Sequence, residues 1–133
     1  MTAFVVFAHG SSVPEANHAI RELAAALQQG FGYTAEAAFL ELATPDLYQA
    51  AEALAKRGAT EIFVIPYFLA PGIHLRRDLP RIMAELSGIH TGVRITATPA
   101  LDGHPGLLKI LLDRARDAVG ASAGGDAPVE ERL

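Results

Sequence analysis

Phe4-Val5-Val6-Phe7-Ala8-His9-Gly10-Ser11-Ser12 is the stretch that decides the fold. Its first five residues are apolar and contain two β-branched valines. A short apolar run of this kind, without alternation, reads as a strand buried on both faces. It stops at a histidine and a glycine, which predicts a turn out of the sheet. Ser12 and Glu15 then stand at the spacing of a capping box, with Ser12 as N-cap. Ile20, Leu23, Ala24 and Leu27 recur at helical spacing, and Gly30 closes the segment. Strand, polar loop and amphipathic helix in this order form half of a βαβ unit.

Moving outward, the same grammar repeats. Tyr33 to Leu40 reads as a second, alanine-rich strand. Thr44-Pro45 is the expected N-cap with proline at the first helical position. Leu47, Ala50, Ala51 and Leu54 form the next apolar stripe, ended by Gly58. Glu61 to Ile65 is the clearest strand, followed by a loop from Pro66 to Gly72. Leu79, Ile82, Met83 and Leu86 mark a third helix, Val93 to Ala97 a fourth strand, and Pro105 to Val119 a last helix. From Gly120 the sequence loses its period, so residues 120–133 are expected to be a disordered tail. Four β-α units predict an α/β domain over residues 1–119. Its core is a four-stranded parallel sheet with helices on both faces, in a flavodoxin-like arrangement. No domain boundary or short-period repeat interrupts it.

Composition narrows the function. The 133 residues fit one domain, and 50% of them are hydrophobic. No apolar run reaches the ~18–20 residues of a membrane span. The N-terminus lacks the basic leader of a signal peptide. With no cysteine, disulfides, thiolate catalysis and Cys-ligated metals are excluded. A cytoplasmic, non-membrane protein is the expectation. The net charge of −4 argues against a nucleic-acid binder, which carries a basic face.

Open α/β sheets bind ligands beyond the carboxyl ends of their strands. Strand one ends in His9-Gly10-Ser11, strand two in Glu41, and strand three in the loop Pro66 to His74. The fold therefore gathers His9, Glu41 and His74 at one edge. Two imidazoles and a carboxylate suit a divalent first-row metal such as Zn, Co, Ni or Fe(II). Each residue has a plainer reading as well. His9 or His74 can bond a backbone carbonyl, and Glu41 can be a solvated loop carboxylate. His18 and His90 read as surface residues, and His104 as a residue that starts the last helix. Gly10 and Gly72 are expected to serve backbone geometry. Arg76, Arg77 and Arg81 read either as a solvated face or as forks for carboxylates.

Three runs together resemble a known family. They are Val6 to Ser12, Phe39-Leu40-Glu41-Leu42-Ala43-Thr44-Pro45, and Pro66-Tyr67-Phe68-Leu69-Ala70-Pro71-Gly72-Ile73-His74-Leu75-Arg76-Arg77-Asp78-Leu79-Pro80. They are similar to the small-form sirohydrochlorin chelatases, class II chelatases of siroheme and cobalamin synthesis. Leu101-Asp102-Gly103-His104-Pro105 resembles the family's last loop, and the likeness covers about residues 3–118.

The resemblance implies metal ligands at His9 and His74, with Glu41 as a nearby third ligand or proton acceptor. It implies a chelatase half-domain that pairs as a homodimer, with no permanently bound cofactor. The substrates would be sirohydrochlorin and a divalent metal, Fe2+, Co2+ or Ni2+. Candidate substrate contacts are Ser11, Tyr67, Phe68, Leu69, Gly72, Arg76 and Arg77, the arginines facing the macrocycle's carboxylates. Where the family commonly has arginine after His-Gly-Ser, this chain has Ser12. Two alternatives stand beside this one. A non-catalytic metal or tetrapyrrole carrier would use the same histidines. A histidine phosphatase needs an arginine before its histidine, and here Ala8 occupies that position.

Overall fold

The computed structural model describes residues 1–70 and 72–123, with the backbone alone for His74 and Ala123. The expected tail beyond Ala123 lies outside the described residues. Residues Met1–Leu101 form one compact unit, and a second begins at Asp102.

The first unit contains β1 (Thr2–Ala8), α1 (Pro14–Phe31), β2 (Thr34–Phe39) and α2 (Leu47–Lys56). It continues with β3 (Glu61–Pro66), α3 (Ile73–Ile89) and β4 (Arg94–Ala97). The strands are all parallel, in the order β2-β1-β3-β4. This is the expected architecture, and β1 lies inside the sheet because its residues are apolar on both faces. Val5 and Phe7 point into a core built with Leu47, Ala50, Ala51 and Leu54 of α2 and Ile82, Met83 and Leu86 of α3. Val6 and Ala8 point the other way, toward Ile20 and Ala24 of α1. Alternation along one strand thus sends successive side chains into two separate cores. Leu23, expected on the buried stripe of α1, is instead exposed.

Helix starts differ from expectation. Helix α1 begins at Pro14 with Val13 as N-cap and no side-chain cap, so the Ser12–Glu15 box does not form. Ser11 does the local work, its Oγ accepting the Val13 N–H at 2.9 Å. Helix α2 is capped by Asp46, not Thr44, in a complete box with Gln49. The cis Thr44–Pro45 bond lies before that cap. Pro45 cannot open the helix because its carbonyl accepts from Phe39 N–H at 2.9 Å. Helix α3 begins at Ile73, well before its apolar stripe, so His74, Arg76 and Arg77 are helical rather than in the loop.

In the second unit, α4 spans Pro105–Ala123, four residues past the expected end at Val119. His104 starts it as expected, its Nδ1 accepting the Gly106 N–H at 2.8 Å.

Candidate functional site at the carboxyl edge

The carboxyl ends of β1, β2 and β3 are tied into one edge by backbone hydrogen bonds. Leu40 N–H donates to Ala8 O, Glu41 N–H to His9 O at 3.0 Å, and Tyr67 N–H to Phe7 O at 2.7 Å. The loop after each strand therefore has a fixed start, and the functional side chains leave from those starts.

Gly10 makes the His9–Glu41 approach possible. Its φ is +91°, and a Cβ placed there would lie 1.8 Å from the Glu41 carbonyl oxygen. Only glycine fits such a crossing. Asn17, a buried polar residue of α1, holds the far side of the loop. Its Oδ1 accepts from Ser11 N–H at 2.9 Å, and its Nδ2 donates to Ser11 O at 2.7 Å. Gly72, by contrast, has an ordinary extended backbone (φ −72°) and open space around it, so geometry does not require glycine there.

Held in this way, His9 Nε2 sits 3.3 Å from Glu41 Oε1, and His9 Nδ1 sits 3.1 Å from Gly10 O. Both ring nitrogens face oxygens. A metal at Nε2 would take the place of a proton there, and the adjacent carboxylate is placed to accept that proton or to join as a ligand. The His9 and Glu41 side chains are 58% and 56% exposed, so an ion can reach and leave them. Among the described residues no three His, Asp or Glu side chains cluster to hold a metal. The side chain of His74 lies outside the described residues. Its backbone is in the first turn of α3, which follows β3 directly, and β3 pairs with β1.

Around this pair the edge is apolar. Val13, Leu40, Leu42, Tyr67, Leu69 and Ile73 are all exposed. Phe68 differs from its neighbours, turning inward to pack edge-on against Phe7. Arg76 and Arg77 are exposed, with no ion-pair partner among the described residues. Arg81, grouped with them by sequence, is engaged: it pairs with Glu85 at 2.7 Å, and Glu85 also accepts from Tyr48 OH at 2.5 Å. The Tyr48 bond, followed by Arg81, holds the Glu85 carboxyl below its ordinary value. His18 pairs with Glu22 on the surface of α1, and His90 ends α3 half-buried, away from the carboxyl edge.

The Asn17 clamp and the left-handed turn at Leu42 carried no signal in the sequence. Asn17 falls on a helix position open to any polar residue, and Leu42 reads as an ordinary apolar loop residue. The Gly-Ser turn six residues before Asn17 is the one hint that a buried amide is needed.

No helix among the described residues is long and apolar enough to cross a membrane. A family model described as CbiX matches residues 3–118. A sirohydrochlorin cobaltochelatase of Methanopyrus kandleri is 26% identical over 90% of this chain and 99% of its own length. A chloroplastic sirohydrochlorin ferrochelatase of Arabidopsis thaliana is 31% identical over 92% of this chain, which spans 55% of that relative. Among solved structures, a cobalamin-biosynthesis CbiX protein from Marinobacter aquaeolei superposes with a TM-score of 0.80 at 28% identity. That match covers 91% of this chain and 99% of the other.

Proposed function

This chain belongs to the CbiX family, and from that premise we propose that it is a sirohydrochlorin chelatase, a lyase that inserts a divalent metal into the tetrapyrrole. The observation that carries the reading is the solvent-open His9–Glu41 pair at the carboxyl edge, beside an apolar surface.

The chemistry follows from the residues. Insertion needs a metal held by few ligands, so that it can be handed over. Neutral imidazoles at His9 and His74 bind it without adding charge. The macrocycle must lose its inner N–H protons as the metal enters, and Glu41 is the base positioned at the metal side. The exposed apolar edge packs against the flat face of the macrocycle, with Tyr67, Leu69 and the Gly72 backbone contributing. Phe68 supports that loop from beneath. Ser11, its backbone clamped by Asn17, forms the adjoining wall. Arg76 and Arg77, exposed and without an ion-pair partner among the described residues, meet the peripheral carboxylates as bidentate forks. The metal enters as substrate and leaves in the product. Imidazole and carboxylate accept both iron and cobalt, the metals of the two named relatives' activities.

A homodimer belongs to the same reading. The chain spans about half of the Arabidopsis relative, so a second copy would supply the other half.

The test is an insertion assay at substoichiometric enzyme, with sirohydrochlorin and Fe(II) or Co(II), followed by absorbance. More than one product per chain is expected. A single stoichiometric transfer would identify a carrier instead. Light scattering of the same samples should give twice the chain mass.

A further inference from the structure

Leu42 has a φ of +65°, the one positive value at a non-glycine residue among those described. An L-leucine is disfavoured there because its Cβ crowds the following carbonyl oxygen. The turn explains why some residue must take this conformation. Leu40 and Glu41 are bonded back to β1, while Phe39 N–H closes the loop on Pro45 O. The chain must reverse between them, and a left-handed residue at position 42 does it. Glycine or asparagine would fill that role with less strain. Packing does not explain the leucine either, because it is 66% exposed and gains little from burial. An outlier kept against both backbone preference and folding points to use of the side chain.

We propose that Leu42 is an apolar contact for the face of the tetrapyrrole, projected beside Glu41 by its left-handed backbone. This rests on the chelatase reading. The partner chemistry is that of a flat conjugated ring with charge confined to its rim. Leu40, two residues before Leu42 in the same turn, and Leu69, in the loop after β3, are exposed apolar residues as well.

The test uses Leu42→Gly and Leu42→Asn, both of which relax the backbone while removing apolar surface, with Leu42→Met as the conservative rescue. Sirohydrochlorin KM, Co(II) affinity, melting temperature and mass are measured on each. The expected result is a KM raised about tenfold, as for loss of a well-buried apolar contact. Co(II) affinity should stay within about twofold, the melting temperature should be unchanged or higher, and Met should restore most of the binding. A KM within about twofold of the parent in both variants overturns the proposal. So does a melting temperature lowered by several degrees, which would make Leu42 structural, or a halved mass, which would assign it to the subunit interface. If the parent chain binds sirohydrochlorin but does not turn over, the chelatase reading fails. The Leu42 contact is then judged by the binding constant alone, with the same tenfold and twofold limits.

Discussion

The two edges of the sheet differ in how their polar groups and backbone are used. At the amino edge, charges and hydrogen bonds are spent inside the molecule. Arg94 pairs with Glu61, and the Met1 amino group reaches Gly58 O and Thr60 Oγ1. At the carboxyl edge, Arg76 and Arg77 have no ion-pair partner among the described residues, the His9–Glu41 pair is open to solvent, and a non-glycine residue, Leu42, is held at positive φ. Folding alone rewards the first arrangement. The second is costly unless something binds there, and open parallel sheets bind ligands at that end.

Mutations should separate the edges. The largest effect is expected for His9→Ala. If His9 is a direct ligand, as proposed, its loss should cost more than the roughly 10–100-fold typical of residues behind a metal site. Initial rates of cobalt insertion check it, with Arg94→Ala at the amino edge expected near parent activity. A parental rate in His9→Ala would erase the distinction between the edges.

Next comes a glycine pair. Gly10→Ala forces a Cβ against Glu41 O and strains a φ of +91°. It should lose about 1–3 kcal/mol of stability, the cost of one badly strained residue. Gly92→Ala, at the amino edge with nothing within 4 Å, should be nearly neutral. Urea midpoints decide.

The paired substitution Arg76→Ala with Arg77→Ala should raise KM for sirohydrochlorin several-fold, with kcat nearly kept, because the proposed role of the arginines is at the rim rather than the reacting centre. An unchanged KM would return them to the solvated helix face.

The smallest effect concerns Tyr48→Phe, which breaks a hydrogen bond between α2 and α3. Glu85 is held below its ordinary value of 4.5 mainly by that hydroxyl. Its contribution is therefore present above about pH 4.5 and fades as pH falls through its lowered value. The small stability loss in Tyr48→Phe should shrink in acid, and insertion at neutral pH should be untouched.

The sheet was readable in advance because each strand is an apolar run between turn signals, and β1 and β3 carry enough β-branched residues to exclude a helix. Helix starts were harder. Ser12 and Glu15 have box spacing, yet Asn17 takes the Ser11 backbone and the helix begins beyond the serine. Thr44 precedes a proline, yet the loop closes on Pro45 and leaves Asp46 to cap. Loop-closing bonds between residues six apart decided both, and the capping pattern does not encode them. The meeting of His9 and Glu41 was legible because the strand-end rule needs no side-chain geometry. The left-handed turn at Leu42 was not legible, because backbone strain leaves no mark in residue type.

His74 tests the account most directly, because sequence and topology nominate it. His74→Ala changes an early residue of α3 and should leave the fold intact, with circular dichroism and melting temperature near the parent. Its rate of cobalt insertion into sirohydrochlorin, measured beside His90→Ala, is the decisive number. The account predicts loss of most activity in His74→Ala and parental activity in His90→Ala. A folded His74→Ala protein that inserts metal at the parent rate would contradict it.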